Sequence, residues 1–137
     1  MKITDIFVSQ ERTFSFEFFP PRDEISAVDF GINVGQLMRL SPSFVTVTYG
    51  AGGSTQGRTF NLVDYLQNKI GLTTVAHYTC VGSNRDQIAE DLRYLQSVNI
   101  ENLMLVNMKI RILNNIVQIK AYSATSGNEI SLKKFVI

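Results

Sequence analysis

Apolar and polar positions along this chain alternate between two periods. From Thr13 to Phe18 (TFSFEF) they switch residue by residue, the period of a strand. Phe14, Phe16 and Phe18 are therefore expected on one face and Glu17 on the other. Pro20 and Pro21 fix φ and lack N–H donors, so the strand must stop before them. Asp23 and Glu24 then open a helix, where their charge suits the positive end of the helix dipole. Ile25, Val28 and Ile32, followed by Val34, Leu37 and Met38, recur at three and four and predict the stripe that faces the core. Ser41-Pro42 ends that helix. Phe44 to Tyr49 (FVTVTY) is a β-branched run and a second strand. It leads into a glycine-rich loop, Gly50 to Thr55 (GAGGST).

A second helix is predicted over Arg58 to Lys69, with Val63, Leu66 and Ile70 on one side and Gly71 as its C-terminal stop. Thr73 to Cys80 reads as a third strand carrying His77. Ser83, with Asp86 three residues later, predicts the start of a third helix built on Ile88, Leu92 and Leu95. Ile100 to Val106 is a fourth strand, and residues 3 to 12 form a leader that covers one end of a core. Strands alternating with helices at this spacing predict an α/β protein with a parallel sheet. Ligands of such sheets collect at the carboxyl ends of the strands. Glu17, Thr48, Tyr49 and His77 all fall at or near those ends, so four polar side chains are expected to converge on one rim.

Taken singly, each has a plainer reading. On spacing alone Glu17 is more often a surface carboxylate beside core phenylalanines, and a lone strand histidine is more often a hydrogen-bonded structural residue. The glycine loop could present N–H groups to an anion. Its spacing is neither G-x-G-x-x-G nor a P-loop with its lysine, and a simple strand-to-helix turn accounts for it equally well.

Composition narrows the class. At 137 residues, 45% of them hydrophobic, the chain is one domain at most and long enough to bury a core. Its mean hydropathy is +0.05, and no apolar run approaches the ~20 residues that span a bilayer. The N-terminus, MKITDIFVSQER, lacks the pattern of a signal peptide. One cysteine, Cys80, and one histidine, His77, allow neither an internal disulfide nor a histidine-rich metal site. A net charge of +1 argues against nucleic-acid binding, and together these features predict a cytoplasmic protein.

Three blocks carry a resemblance: SFEFFPPR (Ser15 to Arg22), VTYGAGGST (Val47 to Thr55) and HYTCVG (His77 to Gly82). In kind, order and separation they resemble the methylenetetrahydrofolate reductase family, the FAD-dependent barrel enzymes of one-carbon metabolism, over residues 13 to 106. The resemblance implies the N-terminal half of a (β/α)8 TIM barrel. It implies Glu17 as the general acid that protonates a folate ring nitrogen, with the neighbouring phenylalanines supplying the desolvation such an acid needs. Thr48, Tyr49, Ala51 and His77 match flavin-contacting positions. FAD is the implied cofactor, NAD(P)H the reductant and a folate the small-molecule substrate.

After residue 106 the pattern departs. The family continues with Arg-Gly-Asp, where this chain has Asn107-Met108-Lys109. Asn, Lys, Ile, Phe, Tyr and Met make up 30 of the first 106 residues and 17 of the last 31, and formal charge changes from −3 to +4. Residues 1–106 are thus read as a partial barrel and 107–137 as a divergent tail. The favoured account of the tail is out-of-frame translation of A/T-rich sequence. The alternative is a genuine strand pair from Ile110, Ile112 and Ile116–Tyr122, a turn at Ser126-Gly127-Asn128, and Ile130–Ile137. A four-stranded half barrel leaves two unpaired edges. The chain is therefore expected to lack turnover, and to self-associate or act as a non-catalytic assembly module.

Overall fold

The computed structural model describes residues 1–50, 56–106, 108–113, 116–122 and 129–135, with side chains described over 1–50 and 56–106. Its elements run α1 (Ile3–Ser9), β1 (Ser15–Phe18), α2 (Glu24–Met38), β2 (Phe44–Val47), α3 (Gln56–Asp64), β3 (Thr74–Tyr78), α4 (Arg85–Ser97) and β4 (Asn102–Leu105). Strands β1-β2-β3-β4 lie in that order in one sheet, and every pairing is parallel. The parallel pairing is what the alternating periods predict, and the sequential order is what the barrel resemblance implies. Beyond it, β5 (Met108–Leu113), β6 (Ile116–Tyr122) and β7 (Glu129–Phe135) form a second, antiparallel sheet in sequential order. The strand alternative for the tail anticipates these strands, with one strand more than a hairpin; the Ser126–Asn128 turn lies outside the described residues.

One face of the parallel sheet makes the main core. Phe18, Val45, Val47, Ala76 and Tyr78 point to the helices and meet Val34, Phe60, Val63, Leu66, Ile88 and Leu95, all buried. α3 continues into a π-helical turn, Tyr65–Ile70. Gly71 closes it with φ +82°, a conformation a residue with a Cβ adopts at a cost. α2 begins with a capping box: the Asp23 carboxylate accepts from the Ser26 N–H at 2.8 Å, and the Ser26 hydroxyl accepts from the Asp23 N–H at 3.1 Å.

Two local expectations are corrected. Only part of the α2 stripe is internal: Val34 is buried and Phe30 and Leu37 pack on the core, whereas Ile25, Val28 and Ile32 are 79%, 65% and 56% exposed. The helix carries two apolar stripes, and the one at 30, 34 and 37 (four then three apart) is the one that meets the sheet. At α4 the cap is Asn84, not Ser83. The Asn84 side chain accepts from the Gln87 N–H at 2.9 Å, and the Gln87 side-chain Oε1 accepts from the Asn84 N–H at 3.0 Å. Gly82 turns the chain at φ +80° just before, which moves the start one residue onward.

The other sheet face carries Ser15 and Glu17, Phe44 and Thr46, Val75 and His77, Asn102 and Met104, as alternation and the strand registers require. α1 closes its N-terminal end. Ile6 is buried, Phe7 meets Phe44 edge to face at 5.8 Å, and the Asn102 side-chain oxygen accepts from the Ile3 N–H at 2.9 Å. The leader therefore covers one end of the sheet, and the opposite, carboxyl end of this polar face is left for the site.

Candidate active site

Glu17 reaches the polar face because it sits between Phe16 and Phe18, which turn to the helices; Phe18 stacks edge to face on Phe30 at 5.2 Å. The expected desolvation of Glu17 by its phenylalanine neighbours is therefore not supplied: they lie on the opposite face, and the Glu17 side chain is 52% exposed. In register, Glu17 stands directly opposite Thr46 on β2. The Thr46 hydroxyl, buried at 6% exposure, donates to Glu17 Oε2 at 3.5 Å. From β3, His77 Nε2 comes within 3.5 Å of the same oxygen. That nitrogen is buried and makes no hydrogen bond. Three successive strands thus bring a carboxylate, a hydroxyl and an imidazole to one point near the carboxyl end.

Glu17 and His77 are the two predicted residues brought together. Thr48 follows two places after Thr46; its N–H donates to the Phe18 carbonyl at 2.9 Å, extending the β1–β2 pairing, and its carbonyl accepts from the Thr59 hydroxyl at 3.0 Å. Tyr49 does not join the polar cluster, which corrects the expectation of four convergent side chains. Being one residue out of phase with Thr48, it falls on the helix side and contacts Tyr78 at 5.7 Å and Phe60 at 6.3 Å between ring centroids. Burial, reinforced by Asp91 and Cys80, pushes its phenol up to about 12. Ala51 and the loop to Thr55 lie outside the described residues.

Behind the site runs a second polar group. The Tyr78 phenol donates to Asp91 Oδ2 at 2.9 Å. Burial chiefly raises both groups above their usual ranges, and burial with the nearby Asp91 charge pushes the Cys80 thiol up to about 12. A cavity of about 340 Å³ opens beside Asp91, lined by Gln56, Val81, Gly82, Ser83, Gln87 and Glu90. Sequence reasoning did not single out Thr46 or Asp91. Thr46 had a signal: in FVTVTY the threonines alternate with valines, which marks a polar face on β2.

The family model for methylenetetrahydrofolate reductase matches residues 2–122. The chain belongs to this family. Its match runs past residue 106 into β6. The chain is 33% identical over 103 residues to methylenetetrahydrofolate reductase (NADH) 1 of Arabidopsis thaliana, covering 75% of this chain and 17% of that protein. It is 37% identical over 76 residues to 5,10-methylenetetrahydrofolate reductase of Pectobacterium carotovorum subsp. carotovorum, 56% and 26% of the two chains. The corresponding Escherichia coli (strain K12) enzyme is 35% identical over 74 residues, 54% and 25%. The chain therefore spans about a quarter or less of the relatives it matches. Methylenetetrahydrofolate reductases are TIM barrels, and the four parallel strands here are consistent with the N-terminal half of one. Among the described residues no helix is long and apolar enough to cross a membrane.

The site is compatible with the flavin that the sequence resemblance implies. A buried nitrogen without a hydrogen bond costs free energy unless something completes it, and His77 Nε2, which makes none and lies 3.5 Å from Glu17 Oε2, is such an atom. Beside it, Thr48 stands at the carboxyl end of β2. Tyr49 contributes from behind, as packing.

Proposed function

We propose that this chain carries the acid-and-flavin half of a methylenetetrahydrofolate reductase site, serving the FAD-dependent reduction of 5,10-methylenetetrahydrofolate to 5-methyltetrahydrofolate with NAD(P)H. The observation that carries this reading is the convergence of Glu17 and the unpartnered His77 Nε2 at the carboxyl end of a parallel sheet, where barrel enzymes place their chemistry. Glu17 is the proton donor, from a carboxyl oxygen to the folate ring nitrogen as the methylene bridge opens. His77 Nε2 and Thr48 hold the flavin, the family resemblance adds Ala51 as a further contact, and Tyr49 supports β2 from the helix side. Bound flavin supplies the hydride chemistry, and the protein orients it. Phe16 and Phe18 pack on the helix side, so bound ligands, not these side chains, would exclude water from Glu17.

By this reading the 137-residue chain alone does not turn over, because four strands hold half of a barrel's rim. Fluorescence titration of FAD with purified protein tests it. Saturable quenching that is weakened by His77→Ala supports the half-site; no quenching by a folded chain removes it.

A second reading, an assembly module, has its own observation. Phe19, Ile25, Val28 and Ile32 are 71%, 79%, 65% and 56% exposed just after β1 and along α2, and among the described residues β1 has one sheet neighbour, β2. Such a surface favours self-association. Sedimentation separates the readings: an associating chain that quenches no FAD is an assembly module. For residues 107–137, A/T-rich composition supports out-of-frame translation, while the family match to residue 122 supports a native segment. Resequencing the DNA over this stretch distinguishes them: an Arg-Gly-Asp reading in another frame supports the first, and its absence from every frame sinks it.

A further inference from the structure

We infer that Thr46 is a positioning residue for the Glu17 carboxyl, tethering Oε2 beside His77 and leaving Oε1 as the oxygen that meets a ligand. The inference deepens the proposed role of Glu17 and rests on it. Thr46 lies on the strand between those of Glu17 and His77 and pairs with Glu17 in register. Its neighbours Val45 and Val47 are fully buried, and Thr46 itself is 6% exposed. A valine has nearly the same shape, so packing alone does not call for a hydroxyl here, and a buried hydroxyl needs an acceptor.

The acceptor that Thr46 Oγ1 finds among the described residues is Glu17 Oε2 at 3.5 Å. His77 Nε2 approaches that same oxygen, also at 3.5 Å. Both contacts fall on one side of the carboxyl group, so Oε1 takes part in neither. A half-exposed glutamate would otherwise sample several rotamers, and a tether on one oxygen restricts it to those that keep the other over the face. The contact is long for a hydroxyl donor, as contacts to reacting groups often are before a ligand closes over them.

The test uses His77, the single histidine of the chain, as its probe. Imidazole ¹⁵N resonances would be recorded for the wild-type protein and for Glu17→Gln, Thr46→Val, Thr46→Ala and Thr46→Ser, each checked for folding by its amide spectrum. Glu17→Gln should displace the His77 Nε2 resonance. Thr46→Val should displace it in the same direction, because the carboxylate swings away, and Thr46→Ser, which keeps the hydroxyl, should stay with wild type. Thr46→Ala serves in place of Thr46→Val if that variant does not fold. A His77 signal that Glu17→Gln moves and neither Thr46→Val nor Thr46→Ala moves overturns the tether. So does a signal that Thr46→Ser moves as far as Thr46→Val, or one that Glu17→Gln leaves in place. No flavin is needed for this readout. A failed FAD titration with these shifts intact would therefore reject the flavin site and keep the tether, and the reverse result would do the opposite.

Discussion

Replacing Tyr78 by Phe should destabilise the chain, and by an amount that depends on pH in a stated direction. The ring is 1% exposed, stacked on Phe60 at 6.4 Å and edge-on to Tyr49 at 5.7 Å; phenylalanine keeps all of that. What is lost is the 2.9 Å bond from the phenol to Asp91 Oδ2. A hydrogen bond to a charged group is worth about 1.5–3 kcal/mol. Asp91 is only partly buried and also accepts from Gln56, so the lower end, about 1.5 kcal/mol, applies. Asp91 is raised above the usual carboxylate range, chiefly by burial. A raised folded value means that the native state holds its proton more tightly than the unfolded chain does. Its effect on stability is therefore most favourable below the ordinary carboxylate pKa and declines as pH rises through the folded value. The Tyr78 bond opposes that shift by favouring the ionised form, so its loss costs more at pH 7 than at pH 4. Urea unfolding of both proteins at the two pH values measures this. An unchanged midpoint at pH 7, or a larger loss at pH 4, would refute the reasoning.

Asn84→Ala should cost about 1 kcal/mol by opening the α4 capping box, whereas Ser83→Ala should change the urea midpoint little; equal losses would return the cap to Ser83. Cys80 is 2% exposed with its thiol pushed up to about 12, so a thiol reagent at pH 8 should label it in urea and spare it in buffer; rapid labelling of native protein would contradict its placement. Glu in place of Val28 or Ile32, both solvent-facing, should shift sedimentation towards monomer with stability changed by no more than about 0.5 kcal/mol, and a fall in stability with no change in mass would mean the residues pack internally.

The order of elements was readable because each has a local cause. Pro20-Pro21 ends β1, Asp23 caps α2, Gly71 takes the positive φ, and Val-Thr alternation marks β2. What was not readable depends on geometry between elements. α2 bears two apolar stripes of similar strength, and only the angle at which it lies on the sheet selects Phe30, Val34 and Leu37 over Ile25, Val28 and Ile32. Glu17 and His77 were separately legible as strand-end residues. Their meeting at Oε2, with Thr46 between, needs the register of three strands, which no single-strand pattern contains. Tyr49 stays out of that cluster for a related reason: a strand-end residue one place from Thr48 falls on the opposite face. The Asp91–Tyr78 bond joins a helix to a strand 13 residues away, and neither residue stands in a motif that announces it.

The account's central claim is that the Glu17–His77 end of the sheet receives a flavin. Mapping FAD onto ¹⁵N-labelled protein by NMR tests it most directly. The account predicts saturable shifts of the His77 imidazole and of the amides of Glu17, Thr48 and Tyr49, with Ser83 and Gln87 beside the Asp91 cavity unmoved. Shifts confined to the cavity beside Asp91, or none at all in a folded chain, would contradict it.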